Sequence, residues 1–487
     1  MLSFLKGHIW QVLIVLNYAL VIVFSILIVL KNRNPVKTLT YLFALATLPF
    51  LGLLVYYFFG RDYRKNKIFE KKYFLDSSRL KEWREKFGLH PGEREEFEET
   101  FGESLFKMYN LLRNNEKAVL TYNNDVRILI NGEQKFAQLR EDLKNARNHI
   151  HLEYFVVVDD QLGAEIIDLL CQKAKEGVNV RLIYDDVGST ISRETKAKLK
   201  QSEIEYFAFM PVMFSNSTSK FNYRDHRKIV IIDGKIGYVG GINLEKKYDN
   251  TYDNERYWRD THVRLEGSAA GALQSSFLLS WEFVSEATLI IDHSLFPDCT
   301  WETGDAVAVQ IAASGPDTDW ANIMEALFAA INGAREYVYI TSPYLVPNDQ
   351  IITALTTAAR SGIDVRIIIP YRSDSLGAQY ASDSYIEQLL KSNIRMFRYT
   401  KGFVHAKTMV IDDLFTTIGT ANLDYRSFSI NFEINALFYA KSTALELKQV
   451  FLEDLKDCEE VTLARWQDRS TGRRLKESFA RLWGPLL

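Results

Sequence analysis

A duplicated α/β architecture with pseudo-two-fold symmetry, preceded by an N-terminal helical hairpin, follows from three features of the 487-residue sequence. His226, Lys228, Asp233, Gly240 and Asn243 recur, with every spacing identical, as His405, Lys407, Asp412, Gly419 and Asn422. Four partners at fixed offsets from a histidine, each a residue type used at about 5 %, coincide by chance roughly once in 100,000 histidines. The chain has 8 histidines, so the recurrence is a duplication. Apolar strand patterns alternate with amphipathic helical ones in the same order ahead of each motif. Finally, two uncharged apolar stretches stand close together near the N terminus.

The first apolar stretch, Ile9 to Leu30, would extend about 33 Å as a helix, enough to cross a hydrocarbon core. It is too long for the apolar part of a signal peptide, and a second stretch follows directly. That second stretch, Thr38 to Gly60, contains Pro49 and Gly52, both tolerated in membrane helices. Together they predict a transmembrane hairpin over residues 1–67, with spans at about 9–30 and 38–60. The connecting loop carries Lys31, Arg33 and Lys37, whereas Lys6 precedes the hairpin and Arg61, Arg64, Lys65, Lys67, Lys71 and Lys72 follow it. The excess of flanking positive charge places both ends, and the rest of the chain, on the cytoplasmic side. Trp10, Tyr41, Tyr56 and Tyr57 stand near the span ends, where amphipathic rings favour the interface.

Residues 68–112, rich in clusters such as Gly92-Glu93-Arg94-Glu95-Glu96, read as a polar helical linker with a solvated surface. A first repeat is expected over 113–300, with strands at Ile150–Phe155, Val178–Tyr184 and Ile229–Ile232. The second, over 301–487, repeats them at Val338–Pro343, Ile363–Ile369 and Thr408–Ile411. The boundary falls in the weakly patterned stretch Pro297-Asp298-Cys299-Thr300. Strands alternating with amphipathic helices imply sheets covered on both faces. Two such sheets about a pseudo-two-fold axis would bring both motifs to one cleft.

On a strand, a histidine and a lysine two residues apart project to the same side. A fixed cation beside an imidazole suits an anion, and Asn243 and Asn422 can each add an amide donor, so the expected ligand is a phosphate. Two facing halves would set two histidines on opposite sides of one phosphorus. One imidazole then attacks while the other protonates the leaving oxygen, afterwards reversing its role to activate an incoming hydroxyl. Histidine switches readily between these states near neutral pH. Lys228 and Lys407 would hold the non-bridging oxygens and stabilise the transition state.

The paired His-x-Lys-x4-Asp motifs resemble those of the phospholipase D superfamily. The contexts Asn222-Tyr223-Arg224-Asp225-His226-Arg227-Lys228 and Trp258-Arg259-Asp260-Thr261-His262-Val263, with the N-terminal hairpin, resemble bacterial cardiolipin synthases in particular. The resemblance implies two phospholipase D-like sandwich repeats and transfer of a phosphatidyl group from one phosphatidylglycerol to another. Cardiolipin and glycerol would form through a phosphohistidine on His226, with His405 as general acid and base. It implies phosphatidylglycerol, cardiolipin and the lipid bilayer as partners, no cofactor, and a multi-pass location in the inner (cytoplasmic) membrane. It also implies that each histidine is oriented by an acid beyond its motif aspartate: Asp260 after the first motif and Glu433 after the second. Asp233 and Asp412 belong to the catalytic motifs but are read as mainly structural, organising the strand-end turns. A phospholipase D hydrolase, a nuclease and a non-catalytic binder of anionic lipid are the alternatives.

A net charge of -3, from 59 basic and 62 acidic residues, gives no basic stripe, so no nucleic-acid partner is expected. Cys171, Cys299 and Cys458 show no Cys-x-x-Cys spacing and read as free thiols. Neither zinc nor ATP is implied, since there is no His-Glu-x-x-His and no Walker loop. His149, His151, His262 and His293 read as hydrogen-bonded or solvated bystanders. Tyr206 to Phe214 suits either an acyl-chain entrance or a buried strand and loop. At the C terminus Leu475, Phe479, Leu482 and Trp483 share a helical face opposite Arg473, Arg474, Lys476 and Arg481. That face suits an anionic bilayer surface or docking on the core, and docking is expected.

Overall fold

A computed structural model describes residues 9–30, 35–48, 50–53, 78–85, 91–211, 222–287, 291, 293–297 and 307–484. The described chain divides into two compact units, the N-terminal helices and the two repeats with the helices that precede them. In the first unit the helices Ile9–Leu30 and Pro35–Thr47 pack together, burying Ile28 and Leu45 against Val21, Phe24, Tyr41 and Leu53. Among the described residues Ile9–Leu30 alone is long and apolar enough to cross a membrane. The second stretch is not one continuous helix. Phe50 adopts a left-handed φ of 61°, and its N–H donates to Asn17 Oδ1 at 3.0 Å before helix resumes at residue 51. A proline at 49 explains the interruption, because it lacks an N–H and disfavours helical geometry in the residue before it. Pro49, Tyr56, Tyr57 and, apart from Lys37, the flanking basic residues lie outside the described residues.

The second unit is built on one 15-stranded sheet. The first repeat contributes β1 (Leu120–Ile130), β2 (His149–Tyr154), β3 (Asn179–Asp185), β4 (Glu205–Phe209), β5 (Lys228–Ile232), β6 (Ile236–Gly240), a short β7 (Tyr257–Arg259) outside the main sheet, and β8 (Thr261–Gly267). The second contributes β9 (Val307–Ser314), β10 (Tyr337–Thr341), β11 (Leu345–Val346), β12 (Asp364–Pro370), β13 (Arg395–Tyr399), β14 (Gly402–Val404), β15 (Thr408–Ile411), β16 (Phe415–Gly419), β17 (Leu423–Asp424), β18 (Glu433–Tyr439) and β19 (Cys458–Val461). The main order is β4-β3-β2-β5-β6-β8-β1-β9-β18-β16-β15-β10-β12-β13-β19, so each half reads outward alike apart from the added β19. The halves fuse where β1 and β9 pair antiparallel, Leu120 opposite Gln310 and Thr121 opposite Val309. Within each half the motif strand is antiparallel to a strand that is parallel to the next one out: β5-β2-β3 and β15-β10-β12. Their Val- and Ile-rich runs are buried because helices cover them.

Two sequence expectations change here. The helices Pro91–Phe101 and Glu103–Glu116 are not a solvated linker: Phe97, Leu105, Met108, Tyr109 and Leu112 enter the core cluster that contains Ile323, Ile331 and Ile340. Residues 105, 108, 109 and 112 follow the helical period, a narrow stripe that surrounding charge obscures. The C-terminal helix Thr471–Leu482 does dock, but through its polar face: Arg473 reaches Asp383 at 3.0 Å, and Leu475, Phe479 and Leu482 stay exposed. Elsewhere, Tyr206 to Phe209 lies in β4, with the Phe209 ring tilted against Phe283 and edge-on to Phe432, while residues 212–214 are outside the described set. Cys171 and Cys458 are free thiols; Cys299 and the inter-repeat boundary at 298–300 lie outside the described residues.

Candidate active site

Each motif histidine sits two residues before its lysine, just ahead of the motif strand, in a segment that reaches across to the other repeat. The His226 N–H donates to Phe432 O at 3.0 Å and Phe432 N–H donates to Arg224 O at 3.0 Å, so the chain entering the first motif runs beside the chain entering Glu433. The second motif repeats the stitch: β14 pairs parallel with β7, and His405 N–H donates to Arg259 O at 2.7 Å, beside Asp260. Consequently each imidazole meets the acid of the opposite repeat. His226 Nδ1 lies 2.9 Å from the Glu433 carboxylate, and His405 Nδ1 lies 2.7 Å from Asp260 Oδ2. Sequence order had suggested Asp260 with the first motif and Glu433 with the second; the structure crosses them. With Nδ1–H donating to a carboxylate, the nitrogen left for chemistry on each ring is Nε2.

The lysines complete each half-site. Lys228 Nζ donates to His226 O at 2.5 Å, and Lys407 Nζ donates to His405 O at 2.6 Å and lies 3.0 Å from His405 Nε2. All these groups are buried, and burial dominates their titration. Burial lowers His226 to about 4, against the opposing pull of Glu433, and holds His405 well below the ordinary histidine value. Both rings are neutral at pH 7. Burial also lowers Lys228 to about 7 and Lys407 to about 8, although Glu433 and Asp260 respectively work against it. Asp260 is raised by burial to about 6, opposed chiefly by Lys407; Glu433 resists its own burial through His226 and Lys228 and lies below the ordinary glutamate value. Two lysines facing two carboxylates leave the unliganded cluster near neutrality. An arriving phosphate adds the anion that keeps both lysines charged.

The other expected residues fall into distinct places. Asp233 accepts backbone N–H bonds from Arg147, Asn148 and His149 at 2.9, 2.7 and 3.0 Å. Asp412 does the same for Arg335, Glu336 and Tyr337 at 2.6, 2.9 and 2.8 Å. Both aspartates end their strands at the side away from the histidines, in left-handed conformations with φ of 53°. In these positions they hold the strand-end turns against the starts of β2 and β10. Asn243 Nδ2 donates to the Tyr248 hydroxyl at 2.6 Å, and Tyr248 stands beside His405 with ring centroids 5.8 Å apart. Asn422 differs: its side chain lies against Asp424, and its N–H donates to Ser427 Oγ. His149 and His151 share Gln274 as a buried hydrogen-bond partner, and His262 is buried behind Ile242 N–H. Among the described residues no group of three or more His, Cys, Asp or Glu is arranged to hold a metal ion.

Several members of the site carry no obvious mark in the sequence. Thr420 Oγ1 donates to Glu433 Oε2 at 2.6 Å, and Asn431 Nδ2 reaches Oε1 at 3.3 Å. The first repeat has Gly241 where the second has Thr420; a Cβ at Gly241 would lie 2.1 Å from Asp260 Oδ1. That exchange at one repeat position was the available signal: the glycine admits a carboxylate that the threonine instead anchors. Phe155 packs edge-on to His226, and Trp258 and Phe403 flank His405. Asp374, held by the Tyr344 hydroxyl at 2.8 Å, acts electrostatically on both His405 and Lys407.

Two half-sites from duplicated α/β repeats, exchanging acids across their junction, define an enzyme of the phospholipase D superfamily. The family described as "Cardiolipin synthase, PLD-like domain" matches residues 139–263 and 327–455, and the one described as "Phospholipase D-nuclease N-terminal" matches residues 19–61. The chain is 38% identical over its whole length to a cardiolipin synthase of Halalkalibacterium halodurans, covering 96% of that protein. Over 96% of its length it is 39% identical to a cardiolipin synthase of a Geobacillus species, covering 92% of it. The crystal structure of phosphatidylserine synthase from Haemophilus influenzae shares the fold, with a TM-score of 0.59 over 79% of this chain and 100% of that one at 14% identity. The chain belongs to the cardiolipin synthase family.

Proposed function

We propose that the protein is a membrane-anchored phosphatidyltransferase that makes cardiolipin and glycerol from two molecules of phosphatidylglycerol. The observation that carries this is the crossed pair of carboxylate-backed, neutral imidazoles, each with a buried lysine beside it. His226 Nε2 bonds to phosphorus as the bond to the glycerol oxygen breaks, and His405, which takes up a proton at Nε2 when the anionic phosphodiester binds beside it, passes that proton to the leaving oxygen. His405 then removes the proton from the hydroxyl of a second phosphatidylglycerol, whose oxygen displaces His226 and releases cardiolipin. Glu433 and Asp260 stabilise the positive charge each ring carries in turn, while Lys228 and Lys407 hold the non-bridging oxygens. Asn243 acts on this site through Tyr248, and Asn422 through the turn beside Asp424.

We place the anchor in residues 1–67 as a two-span hairpin of the inner (cytoplasmic) membrane, with both ends cytoplasmic, and divide the repeats near residue 300. Burial of the rings and lysines supports transfer over hydrolysis, because a dry intermediate favours a bound lipid hydroxyl over bulk water. Purified protein given phosphatidylglycerol as sole lipid yields cardiolipin and glycerol. Phosphatidic acid as the main product would instead establish a hydrolase, and neither product in any of several detergents would refute the reading. Each in-line step inverts phosphorus, so a chiral phosphorothioate substrate reacts with overall retention; inversion would rule out a phosphohistidine.

A further inference from the structure

The helix Thr471–Leu482 is mounted the opposite way round from an ordinary surface helix. At about 100° per residue, positions 473, 477, 480 and 481 share one side and 475, 479, 482 and 483 the other. The charged side faces the protein. Arg473 bonds Asp383 at 3.0 Å and Glu477 at 3.1 Å, Arg469 bonds Glu477 at 3.1 Å, and Arg481 lies 4.2 Å from the Tyr385 ring centroid. Glu477 is thereby buried and Ala480 packs on the core. On the outward side Leu475, Phe479 and Leu482 remain 71%, 61% and 76% exposed, with Trp483 half-exposed. Leu475, Phe479 and Trp483 form one wall of an open apolar groove whose other wall is Gly377 and Tyr380 on the neighbouring helix Leu376–Leu390. Leu376, at the start of that neighbour, extends the same apolar surface.

We infer that this surface is a second membrane contact, an interfacial helix that sets the catalytic unit on a bilayer containing phosphatidylglycerol. The charge pattern fits that occupant. Arg474 and Lys476 fall on either flank of the apolar stripe, where they meet anionic headgroups while the stripe enters the acyl boundary and Trp483 occupies the interface. The position fits as well. Leu376 follows by two residues Asp374, whose charge bears on His405 and Lys407, and Gly484 abuts Val346 of β11, the strand paired with β17 just after Asn422. The apolar surface therefore adjoins segments of the second repeat that bear directly on His405 and Lys407. This inference rests on the lipid-transferase reading for its purpose and for the turnover assay, but not for the crosslinking test.

The test uses the full-length chain in vesicles of phosphatidylglycerol and phosphatidylcholine, with the photoreactive benzoyl-phenylalanine replacing Phe479 or, as a control, the exposed Lys456. Irradiation gives lipid adducts at position 479 at least fivefold above position 456. Equal labelling at the two positions, or adducts only to a second copy of the chain or to its N-terminal helices, overturns the inference, whether or not the protein makes cardiolipin. In a parallel assay Leu475→Glu with Phe479→Glu, both at exposed positions, lowers turnover of bilayer phosphatidylglycerol at least tenfold more than turnover of monomeric dihexanoyl phosphatidylglycerol. Equal effects on the two substrates would also overturn it.

Discussion

Glu433→Gln isolates what the crossed acid contributes, since it removes the charge facing His226 and preserves shape. In the resting enzyme His226 is neutral, burial having lowered it to about 4, so the wild-type contact is a hydrogen bond from a neutral ring to a carboxylate. Glutamine can still accept that bond, and the folded state loses only about 1–2 kcal/mol. The transition state differs because the ring becomes positive. With Nδ1 and oxygen 2.9 Å apart, charge spread over both groups puts the charge centres about 4 Å apart, worth about 4 kcal/mol at an effective dielectric near 20. Subtracting the roughly 1 kcal/mol that a neutral hydrogen bond retains leaves about 3 kcal/mol, a fall in kcat of about 100- to 200-fold. The assay is the initial rate of cardiolipin and glycerol formation at saturating phosphatidylglycerol. A variant within about threefold of wild type would refute the electrostatic role. The crossing itself is read by thermal unfolding in double-mutant cycles: Glu433→Gln couples to His226→Ala by about 1–2 kcal/mol and to His405→Ala by about zero. The reverse pattern would restore the pairing that sequence order suggests.

The pH profile of kcat/KM should be bell-shaped. Asp260, raised to about 6, loses its negative charge as pH falls through that value, which sets the acid limb; Lys228 and Lys407, lowered to about 7 and about 8, lose their cations as pH rises and set the basic limb. An acid limb that survives unchanged in Asp260→Asn would remove Asp260 from this account. Lys407→Ala, which deletes a buried cation 3.0 Å from His405 Nε2, costs about 3 kcal/mol of transition-state stabilisation, seen as at least a 100-fold loss of kcat/KM; a loss below tenfold would place the phosphate elsewhere. Asp233→Ala removes the acceptor for three backbone N–H groups, so it lowers the unfolding free energy by about 1–2 kcal/mol while kcat per folded molecule stays within about threefold. A stable but inactive Asp233→Ala protein would return this aspartate to the chemistry.

Taken alone, the sequence determined the features whose signal is local along the chain or repeated within it. The spacing shared by His226 and His405 exposed the duplication, and Val- and Ile-rich runs located β2, β3 and β5 with β10, β12 and β15 to within a residue or two at each end. The paired histidines and lysines announced phosphoryl chemistry because few other arrangements need two of each. Tertiary structure alone decided which groups meet. Glu433 serves His226, 207 positions away, because Phe432 is stitched to Arg224 and His226; likewise β7 and β14 deliver Asp260 to His405. No periodicity encodes a bridge between chain segments so far apart. The same limit concealed the burial of Leu105 to Leu112 and the outward face of the C-terminal helix. Amphipathic spacing shows that a helix has two faces, but which face turns inward depends on the partner: here Asp383 and Glu387 draw the arginines of that helix and of the turn before it in, leaving Leu475 and Phe479 outside.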